Sequence, residues 1–196
     1  MLLPTDPGGG MIGLGRVCAK IYSPEPAISD ERFVPIFHRW IRRRALGGLL
    51  LDVADYTHVP EGPGVVLVGH DTSFSLDRSD GRFGLLVQRR RPFVGDPVDG
   101  LASTLEALFS AADALERDAD DAELRLDRTR IRIESNDRLR SPNTDEGFLT
   151  LRPIVARAAK RLFANHELVV ERAPNDPGGR LAVDVLVRAE SSVIKC

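Results

Sequence analysis

Alternating apolar and polar residues from Arg16 to Tyr22 predict a strand. Ser29-Asp30-Glu31 then supplies a helix entry, and Phe33, Ile36, Phe37, Trp40 and Ile41 follow at the spacing of one helical face. Arg32, Arg39, Arg42 and Arg43 take the opposite face, and Pro35 predicts a separate or kinked first turn. Gly47-Gly48 ends the helix. Leu49–Tyr56 and Val65–His70 read as a hairpin around Pro60–Gly64. Phe74–Asp77 and Phe83–Gln88 read as a second, joined by a type I′ turn at Asp80-Gly81 that puts Phe74 and Leu76 on one face with Val87 and Leu85. Asp96-Pro97 opens a long helix striped by Leu101, Leu105, Leu108, Phe109, Ala112 and Leu115, ending before Asp118 in a solvated acidic loop to Glu123. Thr129–Ser135 is a strand, and a helix runs from about Asp145 to Ala164, weakened at Gly147 and Pro153. Glu167–Arg172 and Leu181–Arg188 close the pattern as a hairpin.

The order strand, helix, hairpin occurs twice. Ser23-Pro24 precedes Asp30-Glu31-Arg32-Phe33, and Ser141-Pro142 precedes Asp145-Glu146-Gly147-Phe148. The pattern predicts an α+β fold: a mainly antiparallel or mixed sheet with helices on one face, open to a duplicated unit at about 16–91 and 124–188 joined by the helix at 97–117. Residues 16–190 then form a single domain, with a flexible Gly-rich leader at 1–15 and a tail at 191–196. Gly8-Gly9-Gly10-Met11-Ile12-Gly13 matches the dinucleotide fingerprint in letters, but no strand precedes it and no helix follows it. Met11 is an alternative start to Met1.

The chain has 196 residues, with 27 basic against 29 acidic side chains and a net charge of −2. That balance disfavours nucleic acid as a partner, although 24 of the basic residues are Arg and only Lys20, Lys160 and Lys195 are Lys. No apolar run is long enough for a membrane span, and the first residues lack the charge and apolar core of a secretory signal, so a cytoplasmic protein is expected. Cys18 and Cys196 have neither metal-knuckle nor disulfide-scaffold spacing.

Three polar groups are candidates for chemistry. Asp52, Asp55, Tyr56, His58, His70 and Asp71 gather about the first hairpin. A register setting His70 opposite Tyr56 unites it with Asp52 and His58, a set suited to a divalent metal or acid–base work. A register setting His70 opposite Thr57 pairs it with Asp55 instead, and the structural alternative is a strand-end histidine satisfied by a neighbouring carboxylate. Asn136, Asp137, Arg138, Asn143 and Asp145 form a polar loop cluster that suits anions or simply closes turns. Arg39, Arg42, Arg43 and Arg44, with Arg89, Arg90 and Arg91, make an anion-binding face if the fold joins them. His38 reads as a boundary residue and Trp40 as a core anchor.

Esterase-elbow, P-loop, zinc-protease and Cys-x-x-Cys motifs are all missing. No cofactor is predicted beyond the divalent metal that the histidine set allows. Phe37–Ile41, His58–Val65, Val68-Gly69-His70, Gly81–Leu86 and Asn136–Leu139 resemble segments of a family of small uncharacterised bacterial cytosolic proteins, over about residues 16–188. The resemblance implies a free-standing bacterial domain and brings no activity, ligand or functional residue. The expectation is a non-catalytic binding or assembly module that self-associates as a homo-oligomer, with a protein partner allowed. The alternatives are a metal-binding protein or hydrolase using Asp52, His58 and His70, and a polyanion binder using the Arg runs.

Overall fold

The computed structural model describes residues 15–24, 29–119 and 124–189. The glycine-rich leader up to residue 14, Met11, residues 120–123 of the acidic loop, and the tail with Cys196 lie outside these.

Eight strands form one sheet, and every pairing is antiparallel. In chain order they are β1 (Val17–Tyr22), β2 (Leu50–Asp55), β3 (Val65–Gly69), β4 (Thr72–Asp77), β5 (Gly84–Arg89), β6 (Asp127–Ser135), β7 (His166–Arg172) and β8 (Ala182–Ala189). They lie side by side as β2-β3-β4-β5-β1-β6-β8-β7. The helices are α1 (Phe33–Arg43), α2 (Pro97–Asp118) and α3 (Asp145–Leu162). This is the α+β fold that the pattern predicts.

The recurring order is visible in the topology. β1-α1-β2-β3 and β6-α3-β7-β8 run outward from the central β1–β6 pair, and the β4–β5 hairpin is inserted between β1 and β3 in the first half only. α2 lies between the halves, packed on α3, β5 and β1.

Alternation decides which residues enter the core. Val17, Ala19 and Ile21 of β1, Phe74 and Leu76 of β4, Leu85 and Val87 of β5, and Ile131 and Ile133 of β6 are all buried against the helices. Phe74 pairs with Val87 and Leu76 with Leu85, the face-sharing expected from the alternation. The turn between them departs from type I′: Gly81 alone takes a positive φ of 75°, and its N–H donates to the Arg78 carbonyl at 2.8 Å. Gly84 is required where β5 meets β1, because a Cβ there would fall 2.3 Å from the Ile21 carbonyl oxygen.

α1 follows a 3-10 turn at Asp30–Arg32, in keeping with Pro35, whose ring disfavours a regular helix continuing toward the N-terminus. Its Phe33, Ile36, Phe37 and Trp40 are buried. α2 begins as its residues dictate, with the Asp96 carboxylate accepting the Val98 N–H at 2.8 Å and Pro97 in the first turn. It extends through Asp118 instead of stopping before it, and the Trp40 indole N–H donates to the Asp118 carboxylate at 2.8 Å. A carboxylate at a helix C-terminus opposes the helix dipole; this indole bond is one compensation.

Candidate functional site

The face of the sheet turned away from the helices is polar at its centre. Reading the pairings across the strands, Val66, Ser75, Leu86, Lys20, Arg132, Asp184 and Glu171 stand side by side in one row. A second row holds Ser73, Gln88, Cys18, Glu134 and Ala182. From Val66 to Arg132 in the first row and from Ser73 to Glu134 in the second, these residues floor a cleft of about 500 Å³, walled on one side by Tyr56, Glu61 and Pro63 of the β2–β3 loop and bounded on the other by Arg132, Glu134 and Arg180. Arg90 lines it beyond the end of β5. That volume lies within the usual range for small-molecule sites.

Lys20 lies at the cleft's centre, 3% exposed. Its ammonium donates to Asp77 at 2.6 Å, to Asp80 at 2.6 Å and to the Arg82 carbonyl at 2.8 Å. Tyr22 donates its hydroxyl to Asp80 at 2.9 Å, and the Arg82 guanidinium stacks 3.7 Å from the Tyr22 ring centre. Ser79 donates to Asp77 at 3.0 Å. Lys20 and Arg132 face each other on adjacent strands, a like-charge pairing that costs energy unless each has its own counter-charge. Asp77 and Asp80 serve Lys20, and Glu134 serves Arg132 at 2.9 Å.

Burial pulls the Asp80 carboxyl upward, but hydrogen bonds from Lys20 and Tyr22 and the Lys20 charge outweigh it and hold it below the ordinary carboxylate range. Burial, with the Asp80 charge beside it, pushes the Tyr22 phenol above its ordinary range. Burial also pushes the Cys18 thiol up to about 11, against the opposing hydrogen bond from Asn136, whose side-chain nitrogen lies 3.0 Å from the sulfur.

The first hairpin separates the histidine set. β2 pairs Asp55 with Val65 and Asp52 with Val68, and a long loop from Tyr56 to Gly64 closes it. Neither expected register occurs, because Tyr56 already bonds Gly64 and successive turns at Val59 and Gly62 absorb the residues between them. His58 lies in that loop, whereas His70 follows β3 at the other end of the hairpin. Asp52 sits on the edge strand and accepts its neighbour Val53 N–H at 2.8 Å, blunting an open edge. His70 is engaged at both ring nitrogens, by Asp71 at 3.1 Å and Arg91 at 2.9 Å. Among the described residues, no three His, Cys, Asp or Glu side chains gather as a metal site.

The arginine runs are likewise divided. Arg39 donates to the Asp118 carbonyl at 3.2 Å, while Arg42 and Arg43 are exposed at the end of α1. Arg89 stacks 4.7 Å from the Phe93 ring centre, Arg90 donates to the Gly69 carbonyl at 2.7 Å, and Arg91 turns to His70 and Asp71. Of the seven arginines expected to make an anion-binding face, only Arg90 lines the cleft.

The polar loop splits too. Asn136 reaches Cys18, Asp137 accepts the Arg140 N–H at 3.1 Å, and Arg138 is exposed. Asn143 donates to Asn175 at 3.1 Å and to the Asp176 carbonyl at 3.0 Å, and it accepts from Arg172, which also grips Asp145. This clasp ties the entrance of α3 to β7 and its following turn.

Lys20, Asp77, Asp80, Arg132, Glu134 and Arg180 line the cleft, with Tyr22 bonded to Asp80 beside it, and none is a sequence-level candidate. One signal was present: Lys20 is one of only three lysines beside 24 arginines, and it sits in an otherwise largely apolar strand. No family model and no curated protein matches the chain.

Proposed function

We propose that the chain is a non-catalytic binding module whose cleft on the open sheet face takes a small polar ligand. The observation that carries this is the quieting of the cleft's thiol and amine and of the phenol beside it. The Cys18 thiol is held protonated by burial, the three N–H groups of Lys20 are all donated, and the Tyr22 hydroxyl is bound to Asp80. The pocket is thus rich in oriented polar groups and poor in reactive ones.

Ligand-observed NMR with a mixture of small carboxylates, amino acids and polyols tests the proposal. Binding that disappears in the cleft-filling variant Gln88→Trp, with every compound recovered unchanged, is expected. Binding indifferent to that variant overturns the cleft, and a converted compound overturns the absence of catalysis. The proposal places the module in a bacterial cytoplasm. Its self-association draws support from Leu49 and Leu51, 62% and 48% exposed at the edge strand β2. Light scattering that returns a monomer mass removes that part.

A further inference from the structure

From the distribution of uncommitted donors around the cleft, we infer that its ligand is a small dicarboxylate, held at one end by Arg132 and Arg180 and at the other by Arg90. The inference rests on the reading of the cleft as a ligand site and specifies what fills it.

The acids of the cleft floor are already occupied. Asp77 and Asp80 take up Lys20, Tyr22 and Ser79, and Glu134 is shared between Arg132 at 2.9 Å and Arg180 at 4.0 Å. The guanidiniums are not. Arg132 donates only through Nε, Arg90 only through one terminal nitrogen, and Arg180 makes only its distant contact with Glu134, among the described residues. A guanidinium presents five N–H groups in a planar fork, so each of these three retains a face matched to a carboxylate.

Their placement gives the ligand two ends. Arg90 continues β5 and Arg132 lies on β6, with β1 between them: two strand spacings, roughly 10 Å, across the sheet, and roughly a further 13 Å along the strands, because Arg132 is level with Leu86 and Arg90 lies beyond it. The ground between holds Ser73, Ser75, Gln88, Leu86 and the protonated Cys18, with Lys20, whose ammonium is already donated to Asp77, Asp80 and the Arg82 carbonyl. A compact single anion can satisfy one wall and leave the other unused, whereas a chain with an acid at each end satisfies both. Glu61 and Glu134 at the walls and Asp77 on the floor repel a continuous polyanion, and Tyr56 is the only aromatic side chain among the described lining residues, too little for a stacking platform.

Calorimetric titration of the full chain with the linear dicarboxylates from malonate to suberate, with inorganic phosphate as the single-anion probe, tests this. The expected result is an affinity maximum inside the series that falls at least tenfold in either Arg90→Gln or Arg180→Gln and weakens with salt. Both substitutions alter side chains at the rim of the cleft, and circular dichroism checks that each variant is folded. Phosphate binding as tightly as the best dicarboxylate, or affinity indifferent to Arg90→Gln, overturns the two-ended ligand. An absence of dicarboxylate binding, with other compounds still displaced by Gln88→Trp, overturns the ligand class and leaves the cleft standing. If Gln88→Trp displaces nothing, both readings fall.

Discussion

Lys20 shows why a lysine persists in a chain that uses arginine for 24 of its 27 basic residues. Three acceptors converge on one point from β4, its following turn and the Arg82 carbonyl, and a compact ammonium can donate to all three. A planar guanidinium spreads its donors over a wider fork and does not fit the same point. Replacing Lys20 by Met leaves Asp77, 4% exposed, as a buried carboxylate without its partner. The expected cost is about 3–5 kcal/mol in urea unfolding, with part recovered when Asp77→Asn is added. Lys20→Arg is expected to destabilise as well, and tolerance of it would contradict the geometry. The carboxylates also set a pH response. Asp80 and Glu116 both have folded pKa values below their ordinary ones, Glu116 because bonds from Arg128 and the Leu126 N–H outweigh its burial. Their contribution to stability is complete above their unfolded pKa values and is lost as pH falls through the folded ones. The urea midpoint is therefore expected to drop from roughly pH 5 downward, and less steeply in Lys20→Met. Cys18 gives a third readout. With its thiol raised to about 11 and buried, alkylation mapped by peptide mass at pH 8 is expected to spare Cys18 until the chain unfolds.

Elements were legible wherever alternation or helical spacing had one buried face to report. β4, β5, α1 and α2 follow from their apolar stripes because helices cover one side of the sheet. Polar alternation carried a second message that the same reasoning missed. The alternation of β1 does not say what its Cys18 and Lys20 face meets; that face floors the cleft, where only tertiary structure brings Asp77 and Asp80 to Lys20. The histidine set failed for a related reason: strand register depended on how many residues the β2–β3 loop would absorb, and composition does not count them. α1 depends on a contact equally hidden in sequence, the Trp40 indole on Asp118 at the end of α2. Trp40→Phe removes this bond and leaves a cavity, with Arg117 at 3.4 Å as the remaining partner of the Asp118 carboxylate, so a loss of about 2–4 kcal/mol is expected in denaturant unfolding. A loss much below 1 kcal/mol would mean that Asp118 finds another donor at little cost.

The two halves of the molecule share more than a topological order. β1 and β6 pair at the centre of the sheet, α2 packs on β1 and β5 of the first half and on α3 of the second, and a single buried cluster runs from Trp40 to Val155. Neither half can expose its side of that cluster without disturbing the other, so the fold is expected to unfold as one unit. The same continuity holds the cleft, since Lys20 and the Tyr56, Glu61 and Pro63 wall belong to the first half and the Arg132 and Arg180 side to the second. Leu151→Ala tests this from a distance. Leu151 is fully buried in α3, and its truncation is expected to cost about 2–5 kcal/mol. Trp40 lies in α1 and is the only tryptophan of the chain, so its fluorescence follows the first half while far-UV circular dichroism follows all three helices. Both midpoints are expected to fall together in Leu151→Ala. A Trp40 transition that stays in place while the dichroism shifts would show that the halves unfold separately, and the cleft between them would then depend on a docking equilibrium instead of a single core.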